Sequence, residues 1–249
     1  MNIIRKIVGN QLIVGFFSFI VFWEIIYLFV QTHTIPSPLE TFSYFFTVLD
    51  ILGLHSLGSI LRVLAALSIS ILIGIPAGIF LGVNKKVNRL FSPFLYYIYP
   101  IPKVAFLPVF MLLFGLGNVS KVMLIIWIVV FQMILSVRDG VMRIPVSHFK
   151  VMESYSATIK QQYRFLIIPS ILPQVFSALR ISIGISLASL FFAENYATTY
   201  GVGYFIMSAW TKMNYEEMFC GIIVLGFIGL LFFKLIDLLE IHFTPWAAK

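Results

Sequence analysis

Six long hydrophobic stretches, separated by short polar segments, dominate the chain. Most of them hold about the 20 apolar residues that an α-helix needs to cross the hydrocarbon core of a bilayer. The pattern therefore predicts an all-α polytopic membrane protein with six transmembrane helices. The predicted spans run from about Gln11 to Val30, Ser56 to Val83, Phe91 to Gly115, Val122 to Val137, Ile171 to Phe192 and Phe219 to Leu239.

Two regions depart from a simple span. Four prolines interrupt the third span, and a membrane tolerates such breaks only where protein or a water-filled cavity satisfies the freed backbone groups. A seventh apolar stretch, from Leu39 to Leu54, is shorter than most of the others and is interrupted by two acidic residues. This stretch predicts a helix that lies on the membrane surface.

The composition supports the same conclusion. The 249 residues are 60% hydrophobic and 11% charged, with a mean hydropathy of +1.01, whereas soluble domains are about 45–50% apolar and about 25% charged. This excludes a soluble globular fold, and the single cysteine, Cys220, excludes a disulfide scaffold. We expect residues 1–249 to form one transmembrane domain.

The lysines and arginines predict the orientation, because cytoplasmic loops are enriched in them. If the N-terminus is inside, eleven fall on the inner side and only Lys121 and Lys212 on the outer side. We therefore expect both termini to be cytoplasmic, and the net charge of +7 requires no nucleic-acid partner. The eleven are Arg5, Lys6, Lys85, Lys86, Arg89, Arg138, Arg143, Lys150, Lys160, Arg164 and Lys249.

One inner loop, residues 138–169, is long enough to hold a helix of its own. Apolar residues recur every four positions from Val151 through Tyr155 and Ile159 to Tyr163, which predicts one apolar face of a short helix. Such a helix either rests on lipid headgroups or docks into a groove of a soluble partner. The composition of the loop leaves both readings open.

The chain carries no catalytic signature. It has no phosphate-binding loop of the G-x-x-x-x-G-K-[ST] type, and its histidines show no zinc-ligand spacing. We therefore expect that the chain is not an enzyme and that it binds no cofactor or metal.

Charged and polar residues in or beside the spans are candidates for a solute path, because charges inside a membrane are costly. Arg62 lies at a depth similar to that of Glu24 of the first span, so an ion pair between them is one reading. Glu194 is read either as a surface acid at the membrane boundary or as part of the path. The candidate path residues are Arg62, Lys103, Glu194, Asn195 and Thr198.

Several blocks together resemble the permease subunits of ABC importers, specifically the nitrate/sulfonate/taurine/bicarbonate branch. They are IPSPLETF, HSLGSILRVLAALSISILIGIPAGIFLG, PIPKVAFLPVFMLLFGLGNVSK and FFAENYATTYGVGYFIMSAW, and they occur in the family's order. The loop from Lys150 to Pro173 resembles the family's conserved E-A-A…G…I-x-L-P loop. Alignment on Pro169 places Lys150 at the family's Glu and Ser156 at its Gly, so the motif is degenerate.

The resemblance implies a type I ABC importer permease fold in a bacterial inner membrane. It also implies a coupling helix that docks into a separate cytoplasmic ATPase, which uses the ATP, and an extracytoplasmic solute-binding protein. A second permease subunit would complete the path, with a homodimer favoured over a heterodimer. The implied ATPase-coupling residues are Lys150, Val151, Tyr155, Ser156, Ile159, Lys160 and Tyr163.

Six spans are also compatible with a second class of function, an ion-coupled secondary transporter of a small solute. Such proteins usually contain internal repeats and intramembrane carboxylates. We find no internal repeat, and the two best-placed acids, Glu24 and Glu194, lie near span ends.

Overall fold

The computed structural model describes residues 2–247 and the side chains from residue 13 to residue 247, and in this range the chain is helical and contains no β-strand. A 3₁₀ turn at Lys103–Phe106 and a π-helical turn at Tyr163–Ile167 connect some of the helices. The helices are α1 (Asn2–Val30), α2 (Pro38–Phe45), α3 (Leu49–Val83), α4 (Lys85–Ile98), α5 (Leu107–Phe114), α6 (Asn118–Met142), α7 (Val146–Ser154), α8 (Ile159–Gln162), α9 (Ile168–Glu194), α10 (Val202–Thr211) and α11 (Tyr215–Phe243).

The six predicted spans correspond to five long apolar helical segments and one bent pair. The five are the C-terminal part of α1, α3, α6, α8 continued into α9, and α11. The pair is α4 with the segment Lys103–Phe114, and its two halves meet at 85°. The prolines predicted a broken third span, and the bend lies between Ile98 and Lys103, where two of them occur.

A row of three glycines fixes how α3 packs on α6. A Cβ atom added to Gly74, Gly78 or Gly82 would lie 2.5–2.7 Å from the Cβ of Met133, Val137 or Val141, respectively. These glycines, which we call the glycine seam, allow close helix contact as small residues do in other membrane helices. Each contact joins residues 59 positions apart, so α3 and α6 run parallel. The chain must return between them, and the bent pair makes that return.

The neighbours of α9 run in the opposite direction to it. Gly140 of α6 faces Gln174 near the start of α9, while Leu124 near the start of α6 packs with Ala193 near the end of α9. On the other side, Arg180 of α9 pairs with Asp237 of α11 at 2.7 Å. The main core therefore lies between α3, α6, α9 and α11.

The prediction for the stretch Leu39 to Leu54 was wrong in its second half. The short helix α2 ends at Phe45, and the long helix α3 already begins at Leu49. The side chain of Ser37 caps α2 in a capping box with Glu40. Asp50 lies in the first turn of α3, where the helix dipole stabilises a negative charge. The two acidic residues therefore mark two helix starts.

The first span packs loosely on the rest of the chain. Of the window Ile13–Val30, only 6% is buried. Trp23 is the buried exception, since its indole Nε1 donates to the carbonyl of Pro36 at 3.1 Å and its ring stacks on Phe219. Most of the other apolar side chains of this window are available to lipid.

Candidate functional site

A buried ion pair joins the end of α9 to α3. Arg62 Nη1 donates to Glu194 Oε1, and the two residues are only 7% and 1% exposed. A charge inside a membrane protein is costly unless it is paired, and it marks a functional position by default. This pair is therefore the first candidate site.

Every element around the ion pair contributes a hydrogen bond to it. Glu194 also accepts from Ser59 Oγ at 2.8 Å and from the backbone N–H of Gly203 at 2.8 Å. Arg62 also donates to the Tyr200 carbonyl at 2.8 Å, and its Nε and Nη2 donate to Asn118 Oδ1 at 2.9 and 2.7 Å. Residues of α3, α6, α9 and α10 thus meet at one point.

The hairpin that connects α9 to α10, residues 195–201, closes over this pair and depends on a glycine. Gly201 has φ +143°, a conformation that L-residues rarely adopt. A Cβ atom at Gly201 would lie 2.3 Å from Glu194 Cδ. The Gly201 N–H donates to His55 Nδ1 at 3.0 Å, and the Val202 N–H donates to Ser59 Oγ at 2.9 Å.

A second buried cation holds the same hairpin from α6. Lys121 is fully buried, and its Nζ donates to the carbonyls of Leu116, Gly117 and Ala197 at 3.1, 3.2 and 3.3 Å. It thereby joins the loop before α6 to the hairpin. We call Ser59, Arg62, Asn118, Lys121 and Glu194 the Arg62–Glu194 cluster.

The cluster changes two predictions from the sequence. The pairing of Arg62 with Glu24 was wrong, because the Arg62 guanidinium is already used by Glu194, Asn118 and Tyr200. Reading Glu194 as a surface acid was also wrong, because its carboxylate is buried.

The other two hairpin candidates lie beside the cluster. Asn195 is half-buried, and its side-chain amide fits as a donor to the carbonyls of Phe191 at 3.1 Å and Gly203 at 3.0 Å. Thr198 is half-buried at the turn of the hairpin. The structure therefore brings Arg62, Glu194 and Asn195 together, with Thr198 close by along the chain.

An open groove, lined by both polar and apolar side chains, lies along α4 and α6, away from the cluster. Its volume is about 1140 Å³. Side chains of both helices face it, with amides and hydroxyls in the middle and charged groups towards α7. These include Asn88, Arg89, Ser92, Tyr96, Tyr99, Gln132, Ser136, Arg138, Asp139 and Arg143.

Lys103 borders a smaller cleft that continues this groove. The cleft measures about 300 Å³, shares Tyr99 and Gln132 with the groove, and is also lined by Ser189 of α9. The Lys103 ammonium donates to the Tyr99 carbonyl at 3.0 Å. Groove and cleft together extend from Arg143 to Ile128 along α6, which is about 22 Å at 1.5 Å per residue. Lys103 thus lies apart from Arg62 and Glu194.

The loop of residues 138–169 folds differently from the single helix that was predicted. The helix α7 ends at Ser154 and α8 begins at Ile159, so the four apolar residues do not share one helix face. Instead, Phe149 and Met152 pack α7 against the main core. Tyr155 and Ile159 remain 83% and 74% exposed.

Local hydrogen bonds explain why α7 stops there. Ser156 has φ +52°, its N–H donates to the Glu153 carbonyl at 2.8 Å, and the Ala157 N–H donates to the Met152 carbonyl at 3.0 Å. This is a Schellman motif, in which glycine is the preferred residue at the left-handed position. Thr158 then starts α8 with a capping box to Gln161.

Tyr163 is separated from the other proposed coupling residues. It begins the π-helical turn and packs against the main core, beside Ile75 and Leu172. Lys150, Val151, Tyr155, Ser156, Ile159 and Lys160, by contrast, are exposed. The exposed part of the predicted coupling surface therefore excludes Tyr163.

Several residues of the cluster were missed by sequence reasoning. Lys121 was counted as an outer-loop charge, and Ser59 and Asn118, together with Gly201 and Gly203 beside the cluster, were not among the candidate residues. One signal was present for the glycines, since two of them follow an acidic residue at the end of a span within nine positions. Because glycine has no side chain, glycines at this spacing allow the backbone to pack closely around a buried carboxylate.

Comparison with known proteins identifies the family. A family model described as "binding-protein-dependent transport system inner membrane component" matches residues 70–249. The taurine transport system permease protein TauC of Escherichia coli (strain K12) is 30% identical over 195 residues, covering 78% of this chain and 71% of that protein. The formylaminopyrimidine transport permease protein ThiX of Halalkalibacterium halodurans is 28% identical over 236 residues, 94% of each chain.

A third relative, the putative aliphatic sulfonates transport permease protein SsuC of Bacillus subtilis (strain 168), is 29% identical over 220 residues, covering 87% of this chain and 79% of that protein. The family match covers more than half of the chain and includes the groove, the 138–169 loop and Glu194. It also decides against the ion-coupled secondary transporter. The chain therefore belongs to the binding-protein-dependent transport system inner membrane components, as a membrane permease subunit of an ABC importer of the nitrate/sulfonate/taurine/bicarbonate branch.

Proposed function

We propose that this permease forms one half of a solute path and that the groove between α4 and α6 is the wall of that path. The groove and its Lys103 cleft are open along one side, so a second permease subunit is needed to enclose a solute. The path reaches the end of α6 near α7. At the other end of α6, the Arg62–Glu194 cluster closes the structure with buried side chains.

This asymmetry corresponds to an inward-facing state if the 138–169 loop is cytoplasmic. The lysine and arginine distribution supports that orientation, with both termini inside. The cycle would then alternate between this state and one that opens at the hairpin, with each state favoured by a different set of bound partners. The source of energy would be ATP hydrolysis in a separate subunit.

We propose that the ATPase docks on the exposed part of the 138–169 loop, centred on Tyr155 and Ile159. The inner face of α7 is already used, because Phe149 and Met152 pack on the core. Apolar side chains as exposed as Tyr155 and Ile159, in a loop rimmed by charged residues, are typical of a docking surface for a soluble partner. A headgroup-bound helix would instead turn its apolar face towards the membrane.

The second permease subunit is proposed to be another copy of this chain. Closed twofold homodimers are the commonest oligomers of proteins, and the groove presents one open side to a partner. An extracytoplasmic solute-binding protein would deliver the solute at the hairpin side.

The test is purification of the complex expressed from its whole operon in mild detergent. The double variant Tyr155→Asp/Ile159→Asp should reduce the co-purified ATPase by tenfold or more, since each change places a charge in an apolar contact, which costs about 1–3 kcal/mol or more. Lys86→Asp is the matched control, because this exposed residue lies outside the loop but at the same end of the helix bundle, where Gly82 and Asn88 contact the end of α6. Native mass spectrometry of the complex should count two copies of the permease.

Stoichiometric ATPase in the double variant would contradict the docking site, with insertion checked by the permease's own yield. One copy of this chain beside a second permease would contradict the homodimer alone. Absence of any ATPase from the unmodified complex would contradict the proposed function as a whole.

A further inference from the structure

No residue of the Arg62–Glu194 cluster lines the groove. Its charged residues, Arg62, Lys121 and Glu194, are nevertheless the most deeply buried lysine, arginine and acidic residues in the described part of the chain. A buried ion pair is weak grounds for stability by itself, because an apolar pair of the same size is often as stable. Its bonds reach four different helices. What the pair connects is therefore more informative than what it contributes to stability.

One helical segment connects the cluster to the 138–169 loop. From Ile159 to Glu194 the chain is helical without interruption, through α8, the π-helical turn and α9. The helix α9 alone has 27 residues, which is about 40 Å at 1.5 Å per residue. Ile159 is exposed at one end of this segment, and Glu194 is buried at the other.

The far end of this segment is attached to the hairpin by the cluster. Glu194 accepts from the Gly203 N–H, and Arg62 donates to the Tyr200 carbonyl. There is no room for a side chain at position 201, because a Cβ atom there would overlap the Glu194 carboxylate. The hairpin and the start of α10 therefore cannot shift relative to the end of α9 without breaking these bonds.

We infer that Arg62 and Glu194 are positioning residues that transmit movement of the 138–169 loop, along α9, to the hairpin of residues 195–201. A displacement of Ile159 by the ATPase moves α9 as one body, and the ion pair makes α3, α10 and the hairpin follow. The inference rests on the proposed function, since it needs an ATPase at the loop. It adds a role for two residues that do not line the groove.

The test measures movement at the hairpin directly and requires no knowledge of the solute. A single reporter cysteine at Thr199→Cys, in a Cys220→Ala background, is exposed on the hairpin. The purified complex in nanodiscs is labelled with a charged maleimide, first without nucleotide and then after trapping with ATP and vanadate. The ratio of the two labelling rates should be about threefold or more, as expected when a segment changes its exposure between two states.

Two variants separate transmission from folding. Glu194→Gln leaves the Arg62 charge buried without its partner, which is costly, whereas Arg62→Gln/Glu194→Gln removes both charges and should restore the yield. In the double variant the ATPase should still co-purify and hydrolyse ATP, while the labelling ratio falls to within about 1.5-fold of one. A purely structural role would lower yield and activity together and leave the ratio unchanged.

Ser59→Ala provides the same measurement with both charges kept. It removes the hydrogen bonds from Ser59 to Glu194 and from Val202 to Ser59, so the ratio should fall below that of the parent even if the double variant does not assemble. Thr32→Cys, exposed in the loop between α1 and α2, is the control reporter, and its labelling should be the same in all variants.

The inference would be overturned if the double variant had the same ratio of labelling rates as the parent protein. If only Ser59→Ala assembles, the same result in that variant would overturn it. It would also be overturned if the parent protein labelled at Thr199→Cys equally fast in both nucleotide states. Both results leave the proposed function intact, which fails only if the unmodified complex contains no ATPase.

Discussion

The Arg62–Glu194 cluster and the 138–169 loop lie at opposite ends of α9 and are built on opposite principles. In the cluster, the bonds join residues far apart in the sequence, such as Ser59 and Glu194, which are 135 positions apart. In the loop, the shape is determined by bonds over three to five positions, as in the Schellman motif at Ser156.

Burial differs in the same way. Ser59, Arg62, Lys121 and Glu194 of the cluster are buried and hydrogen-bonded, and only Asn118 is exposed. Tyr155 and Ile159 of the loop are exposed. The comparison teaches that a largely buried, hydrogen-bonded junction and an exposed docking surface can be the two ends of one helix. A substitution in the cluster should therefore lower the stability of the protein strongly. A substitution on the exposed surface of the loop should change stability little and should weaken only the binding of a partner.

The largest effect is expected for Gly201→Ala. The alanine would adopt a backbone conformation reserved for glycine, and its Cβ would overlap the Glu194 carboxylate, so we expect a loss of roughly 2–6 kcal/mol from strain and overpacking together. The measurement is the yield and thermal stability of the permease in detergent. Gly117→Ala is the matched control, because nothing lies within 4 Å of its added Cβ and its φ is −79°. Equal stability of the two variants would show that the hairpin is not rigid.

A smaller effect is expected for Lys121→Met. The methionine fills similar space, but the carbonyls of Leu116, Gly117 and Ala197 lose their donor, which should lower the stability by about 1–3 kcal/mol. The exposed Lys212→Met serves as the control, with a change below about 0.5 kcal/mol. Thermal unfolding followed in detergent gives both values. A stabilised Lys121→Met protein would mean that the buried ammonium is a net cost to the hairpin.

The smallest effect, and the one of opposite sign, is expected for Ser156→Gly. Glycine adopts the left-handed conformation of this position without the cost of about 1–2 kcal/mol that a side chain incurs there. This outweighs the loss of about 0.4–1 kcal/mol that glycine causes through a more flexible unfolded chain, so the loop should gain about 0.5–1 kcal/mol. Ser154→Gly, two positions earlier and inside α7, should instead lose about 0.5 kcal/mol. Hydrogen exchange of the α7 amides measures both changes. A loss at Ser156→Gly would indicate that the serine side chain has a role that its backbone geometry does not reveal.

The same contrast explains how much could be predicted from the sequence. The spans were predicted correctly because a hydrophobic run of sufficient length is a local property, and the prolines correctly placed the break in the third span. The apolar residues of the loop were also found, although their four-residue spacing was wrongly extended across the stop at Ser156.

The cluster could not be predicted, because pairing depends on which helices become neighbours. Arg62 had two acids at similar depth, Glu24 and Glu194, and hydropathy gives no reason to choose between them. The choice is made by the parallel packing of α3 on α6 through the glycine seam and by the antiparallel packing of α9 alongside them, which brings its end to α3. Lys121 shows the same limit, since a loop lysine and a buried lysine look alike in a sequence.

The loose attachment of the first span has a consequence for how freely this part of the protein can change. Its window from Ile13 to Val30 is almost wholly turned outward and is attached mainly where Trp23 meets Pro36 and Phe219. Most positions in this window need only remain apolar. An unrelated membrane-crossing segment that retains the tryptophan contact should therefore be able to replace the first span. Helices α3, α6 and α9 have less of this freedom, because a larger share of each is buried against particular neighbours: 39% for α3, 39% for α6 and 56% for the segment Ile159–Glu194.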